Sequence, residues 1–330
     1  MAIFGIAPTT LALFIGFGLL IGTLFGFFGM GGSFLVTPAL LVLDFPAKVA
    51  VGSGLAFVFG TSVIAALRHR NLGQVDYKLG AMFIVGMTVG IEIGKEVVLL
   101  LEELGLSGIV VSASYVFLLA TVGIFMFRDA QAEDSEDDET SPLLQKIQNV
   151  EIWPMIEIKG GATVSLWLTL IIAVFIGVLS GFLGVGGGFL LMPAMMYLLG
   201  VPAAVAVGTD VFQITASGAF GAFTYAQSGS VDLSIVMPLL AGSALGARVG
   251  TAATSLVDED EITGYFATML LAGAAAVASK EIGNAYGIDL LNTVSLVLIF
   301  GSAIFVSGAV MYASAKSISQ GTTSASASSH

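Results

Sequence analysis

The sequence predicts an all-α polytopic membrane protein built from two homologous, inverted repeats, each with a glycine-broken, re-entrant helix followed by transmembrane spans. Three observations predict it. Of the 330 residues, 56% are hydrophobic and only 10% are charged, against roughly 25% charged in a soluble domain. Apolar runs recur along the chain, several of them near the ~20 residues that a bilayer crossing requires. A glycine-dense block, Gly26-Phe27-Phe28-Gly29-Met30-Gly31-Gly32-Ser33-Phe34-Leu35-Val36-Thr37-Pro38-Ala39, returns as Gly181-Phe182-Leu183-Gly184-Val185-Gly186-Gly187-Gly188-Phe189-Leu190-Leu191-Met192-Pro193-Ala194, 155 residues later.

Glycine costs about 1 kcal/mol against alanine in a helix interior, so the blocks read as breaks between helical pieces. After such a break the next piece offers unpaired N–H groups and a partial positive charge. In order, Leu11 to Phe28 is a span, Gly29–Gly32 the first break, and Ser33 to Leu43 a piece too short to cross alone. Asp44-Phe45-Pro46 is a turn. Spans follow over Val49–Leu67, Tyr77–Leu101 and Gly108–Phe127, with Asp76 placed to cap the second of these. The second half repeats the plan: a span over Val164–Leu183, a break at Gly184–Gly188, a short piece over Phe189–Leu199, then spans over Ala203–Tyr225, Leu233–Leu256, Ile262–Ser279 and Leu290–Tyr312. Asp232 is the cap that matches Asp76.

The duplication runs past the breaks. Val49-Ala50-Val51-Gly52-Ser53 matches Val205-Ala206-Val207-Gly208-Thr209, and Gly73-Gln74-Val75-Asp76 matches Gly229-Ser230-Val231-Asp232, both at an offset of 156. Gly86, Gly90 and Gly94 match Gly242, Gly246 and Gly250. That four-residue spacing brings membrane helices into close approach. The expected organisation is a first membrane repeat over 1–128, an acidic linker and surface segment over 129–163, a second repeat over 164–316 and a disordered tail over 317–330. Arg68, Arg70 and Lys78 flank the first-half loop, whereas its second-half equivalent, Ala226 to Val231, has no base. By the positive-inside rule the first loop is cytoplasmic. The asymmetry is what an inverted repeat gives, with the same loop on opposite faces. The linker is expected on the cytoplasmic side too.

The net charge is −12, and seven acids lie between Asp129 and Glu139 without a base. Either an adaptation to high salt or a plain disordered linker accounts for them. Leu143 to Lys159 reads as a surface segment at the lipid interface. The N-terminus has no base before its first apolar run and does not read as a cleaved signal peptide. There is no cysteine and there are two histidines, so thiol chemistry and a histidine-rich metal cage are excluded. No metal site and no cofactor are expected. No phosphate-binding G-x-x-x-x-G-K-[ST] occurs, and neither enzymatic chemistry nor nucleic-acid binding is expected.

The paired G-F-[FL]-G-x-G-G-[GS]-F-L-x-x-P-A blocks, each followed by P-x-x-V-A-V-G-[ST], resemble the sulfite exporter TauE/SafE family over roughly Leu11 to Tyr312. The resemblance implies a multi-pass cell-membrane permease for sulfite, sulfonates or related small organic anions. The long acidic linker departs from the family's compact pattern.

A small oxyanion needs donors and positive potential without a deep trap, and backbone amides supply both. Gly29, Gly31, Gly32 and Ser33, with Gly184, Gly186, Gly187 and Gly188, are therefore the candidate binding residues; the alternative is that they only permit tight crossing. Ser53, Thr209 and Gln213 on the helices after the breaks are candidates to complete the shell. Thr61, Ser62, Thr215 and Ser217 are the neighbouring hydroxyls. Pro38 and Pro193 free a carbonyl or kink the short pieces. Intramembrane charges are functional hypotheses by default. Asp210 is a candidate coupling-proton carrier, with helix-end capping as the alternative. Glu92 and Arg248 occupy equivalent repeat positions as a candidate gating ion pair, Arg248 alternatively meeting the anion. The expected function is a secondary transporter, an exporter, working by alternating access with the bilayer, the small anion and a coupling proton or other ion as partners. An anion channel of the same architecture and a permease for a carboxylate such as orotate are the alternatives. The oligomeric state is not read from the sequence.

Overall fold

The computed structural model describes residues 8–28, 32–69, 75–129, 153–159, 163–253 and 259–327. Eleven helices carry the described chain: α1 (Pro8–Phe28), α2 (Val36–Val42), α3 (Ala47–His69), α4 (Tyr77–Glu103), α5 (Ser107–Asp129), α6 (Leu166–Leu183), α7 (Gly188–Pro193), α8 (Ala203–Gln227), α9 (Leu233–Ala253), α10 (Glu259–Tyr286) and α11 (Asp289–Ala327). Six helices among the described residues are long and apolar enough to cross a membrane: α1, α5, α6, α9, α10 and α11. The protein is an all-α polytopic membrane protein. The chain divides into two compact units that each draw on both sequence halves. One comprises Met1–Leu43, Ser112–Glu133 and Met237–His330, the other Asp44–Val111 and Asp134–Val236.

In the second unit, α4 and α6 pack side by side along their lengths. The glycine ladder makes this approach. Gly86 lies against Ala173, Gly90 against Gly177 and Gly94 against Gly181, so the two helices run parallel. A Cβ on Gly90 would fall 2.6 Å from the Val178 amide nitrogen and 2.7 Å from the Gly177 Cα. In the first unit the matching ladder, Gly242, Gly246 and Gly250 of α9, lies against Ile15, Leu19 and Thr23 of α1, again in parallel. Each repeat's opening helix thus packs on the glycine ladder of the other repeat. Edge-on ring pairs, Phe17 with Phe300 at 4.7 Å and Phe34 with Phe266 at 5.1 Å, fill out the first unit.

Helix directions fix the path of the second broken element. Gly80 meets Phe212 and Ile91 meets Gly221, so α8 runs parallel to α4 and therefore to α6. Two consecutive parallel helices require the chain between them to return to the face it entered. It does so at the break: Gly187 is already back beside Ile176, two turns up α6. A single packed apolar cluster then joins Leu191, Met195, Leu199 and Val201 of the returning piece to Leu79 at the start of α4 and Val164 just before α6. α3 runs the opposite way to α8, with Gly52 near Tyr225 and Phe59 near Gly218.

Two local differences from the sequence expectation follow from backbone pairing. The span expected from Val164 begins at Leu166, because Thr163–Ser165 forms a strand, β2, paired antiparallel with β1 (Met155–Glu157). The end of the expected surface segment is thereby a docked hairpin whose Ile158 and Val164 are buried. Asp76 explains the docking. Its Oδ1 accepts from the Lys78 and Leu79 amides at 2.9 and 3.0 Å, as a helix cap should, and its Oδ2 accepts from the Lys159 amide at 2.5 Å. Asp232 is likewise a cap, accepting from Ser234 N at 2.8 Å. The backbone helix of α11 continues to Ala327, into the Ser/Thr/Ala-rich segment.

Candidate functional site

The second break lies within the second unit. Gly184, Gly186 and Gly187 have φ of 76°, 72° and 82°, the left-handed region in which a Cβ is disfavoured. Gly184 ends α6 by donating its N–H to the Ser180 carbonyl at 2.7 Å. Gly186 packs on Val58, midway along α3, so the break sits at mid-depth of that helix. Gly188 opens α7, and Pro193 ends it in a π-type turn over Ala194–Leu198.

A buried polar ladder on α8 faces this break. Asp210, Gln213 and Ser217 are spaced i, i+3, i+7 and so share one helix face. Gln213 Nε2 donates to Asp210 Oδ1 at 3.0 Å, and Ser217 Oγ donates to Gln213 Oε1 at 3.1 Å. Gln213 and Ser217 are wholly buried and Asp210 is 5% exposed. A Cβ on Gly188 would lie 3.0 Å from Asp210 Oδ2. The carboxylate thus sits at the start of the returning piece, where only glycine leaves it room.

Ser53 and Thr209 are both wholly buried and their hydroxyl oxygens are engaged. Thr209 Oγ1 accepts from the Asp76 amide at 3.0 Å, and Ser53 Oγ accepts from the Asp232 amide at 3.0 Å. Thr61 and Thr215 donate to their own helices, at Phe57 O and Val211 O, and Ser62 does so at Phe59 O.

Of the first break, Gly29 and Gly31 lie outside the described residues. Gly32 and Ser33 begin a 3-10 turn, Gly32–Leu35, that leads into α2. Glu92 is reached by Lys95 on its own helix, with Nζ–Oε1 2.5 Å, and Lys95 also lies 3.2 Å from Glu96. Arg248 stands exposed on α9, in the first unit.

Two further buried groups at the second break were not singled out from the sequence. Tyr225 donates its hydroxyl to the Gly181 carbonyl at 2.7 Å, tying the end of α8 to the last turn of α6. Ser180 is wholly buried on that turn. A hydroxyl residue four positions before a left-handed glycine was the available signal for Ser180; a tyrosine 44 residues away gives no such signal.

A glycine-broken element that turns back inside a multi-pass helical protein is the kind of feature found in repeat-built membrane transporters. The family comparison agrees: a family model described as Sulfite exporter TauE/SafE matches residues 14–277. The chain belongs to the sulfite exporter TauE/SafE family. Among its relatives, "Probable membrane transporter protein YunE" of Bacillus subtilis (strain 168) is 29% identical over 249 residues, covering 71% of this chain and 85% of that protein. A "Probable membrane transporter protein" of Xylella fastidiosa (strain 9a5c) is 28% identical over 244 residues, covering 73% and 84%. A Methanocaldococcus jannaschii relative of the same description is 27% identical over 259 residues, covering 72% and 86%. No solved structure matches the chain. As a TauE/SafE member the protein is a multi-pass membrane transporter whose partners are a small substrate and the lipid bilayer, and not an enzyme.

Proposed function

We propose that this transporter is a secondary exporter of sulfite or a related small sulfur-containing or organic anion, working by alternating access. The observation that carries the reading is the second break: three left-handed glycines turn a membrane segment back at mid-depth, against the Asp210–Gln213–Ser217 ladder. Main-chain N–H groups at such a turn, beyond the Gly184 amide that the Ser180 carbonyl already holds, suit an oxyanion without a fixed countercharge. Gly184, Gly186, Gly187 and Gly188 with Gln213 are assigned to substrate binding in the second unit, and Gly29, Gly31, Gly32 and Ser33, their sequence equivalents, are assigned the same role in the first repeat. Ser53 and Thr209 each keep a hydroxyl proton to donate while accepting a loop amide.

Asp210 is assigned the coupling role. A carboxylate beside Gly188 opposes a second negative charge when ionised and tolerates it when protonated, so anion and proton travel together. Glu92, through its pair with Lys95, and Arg248 are assigned to helix packing that changes between states.

Two features support inverted repeats. The repeat-equivalent helices α3 and α8 run antiparallel, and the basic residues Lys78 and Lys159 gather at the start of α4, whereas the loop before α9 has none.

Uptake of labelled sulfite into proteoliposomes, compared with sulfate, a taurine-like sulfonate and an orotate-like carboxylate, tests the reading. Saturable flux with counterflow marks a carrier. Non-saturating flux without counterflow marks a channel, and carboxylate preference marks an organic-acid permease. Absence of flux for every anion removes the proposal.

A further inference from the structure

Four threonines of the second unit share one habit. Thr61 donates to Phe57 O at 3.0 Å, Thr88 to Ile84 O at 2.6 Å, Thr169 to Ser165 O at 2.8 Å and Thr215 to Val211 O at 2.8 Å. Each bonds the carbonyl four residues back, the usual way of hiding a hydroxyl inside a helix. Ser180 departs from it. Its side chain is wholly buried, and its Oγ has no hydrogen-bond partner. Among the described residues of the second unit it is the one buried neutral side chain left in this state.

Its place gives the departure a direction. Ser180 stands one turn after Ile176, on the same stripe of α6. Ile176 meets the returning chain, its Cγ2 3.4 Å from where a Cβ of Gly187 would stand. The Ser180 carbonyl receives the Gly184 amide at 2.7 Å. The break therefore leaves α6 at Gly184 and comes back past Ser180 before reaching Gly187. An orphaned buried donor on the very turn whose carbonyl receives the Gly184 amide is a donor waiting for an acceptor that the protein does not itself supply.

We propose that the Ser180 hydroxyl is a specificity-determining donor of the second break, giving a hydrogen bond to one oxygen of the bound oxyanion. This rests on the anion-carrier reading above. The guest class follows from the donor set. Break amides, the remaining Gln213 Nε2 proton and the Ser180 hydroxyl stand on different elements bordering the break, and a donor set drawn from three directions would suit a pyramidal anion with three oxygens, such as sulfite or a sulfonate, better than a planar carboxylate with two. A site built to bond a given oxygen discriminates strongly against a guest that lacks it.

The test compares wild type, Ser180→Ala and Ser180→Thr. Labelled uptake of sulfite and of an orotate-like carboxylate is measured in proteoliposomes. Sulfite-dependent thermal stabilisation is measured on the purified full chain in detergent, because a bound ligand raises the midpoint whether or not it is carried. Ser180→Ala is expected to raise the apparent KM for sulfite about tenfold, to weaken the sulfite-induced stabilisation, and to lower the sulfite-to-carboxylate ratio with Vmax little changed. Ser180→Thr, which keeps the hydroxyl, is expected to restore the ratio. An unchanged KM and ratio in Ser180→Ala overturns the proposal, as does a fall in Vmax alone, which would mark a packing role. Sulfite stabilisation that depends on Ser180 without any transport would sink the carrier reading but leave this inference standing. No stabilisation of wild type by sulfite would overturn the inference.

Discussion

The hydroxyl oxygen of Thr209 accepts the main-chain N–H of Asp76 at 3.0 Å, and its repeat equivalent Ser53 accepts that of Asp232 at the same 3.0 Å. Each repeat thus holds the loop that starts the other repeat's glycine-ladder helix. Thr209→Val leaves a buried amide unpaired, an effect of about 1–3 kcal/mol. A lowered thermal midpoint in detergent is expected for Thr209→Val and for Ser53→Ala. Because both bonds lie in one compact unit, the double variant should lose more than either single. Midpoints equal to wild type would show that the loops are held by other contacts.

Asp210 is buried beside Gly188 and bonded to Gln213. If its proton accompanies the anion, uptake rises as the pH on the loading side falls, since the ionised carboxylate repels the guest. Asp210→Asn keeps the shape and the contact with Gln213 but cannot ionise. Anion flux through Asp210→Asn should persist with a flat pH profile and without acidification of the receiving lumen. A profile as steep as that of wild type would assign the coupling elsewhere.

Gly186 and Gly16 offer a matched contrast. At Gly186 φ is 72° and an added Cβ would meet the Val58 side chain, whereas at Gly16 nothing lies within 4 Å. Gly186→Ala combines left-handed strain, about 1–2 kcal/mol, with a displaced break. Sulfite uptake should fall by more than tenfold in Gly186→Ala at equal expression and stay near wild type in Gly16→Ala. Equal activity in the two would mean that the shape of the break does not matter to transport.

Much of this architecture is legible in the sequence because duplication repeats its own evidence. The second glycine block marks its break, the 156-residue offset pairs Ser53 with Thr209 and Asp76 with Asp232, and the two aspartates act as caps. What pairing they make across the repeats was not legible, because a repeat alignment shows equivalence and not contact. Glu92 illustrates this: its equivalence with Arg248 is plain in the sequence, whereas its ion pair with Lys95, one turn away, is not something a repeat alignment can point to. The hairpin before α6 was hidden for another reason. Its charges and Pro154 mask two short strands, and only the docking of Ile158 and Val164 and the Asp76 latch make them hold.

That latch places the end of the acidic linker on the same face as the start of α4, where Lys78 stands, and so on the expected cytoplasmic side. Trypsin added to inside-out vesicles should therefore cut at Lys159, while intact right-side-out vesicles should protect it. Asp76→Ala removes the acceptor for the Lys159 amide and the cap of α4 together. Cleavage at Lys159 should become several-fold faster in that variant, because loss of the acceptor loosens the Lys159 backbone at which the protease cuts. Asp232→Ala, which uncaps α9 without touching the hairpin, should leave the rate at Lys159 unchanged. Faster cleavage in both variants would trace the effect to general loosening of the fold rather than to the latch, and cleavage only from outside would reverse the assigned orientation.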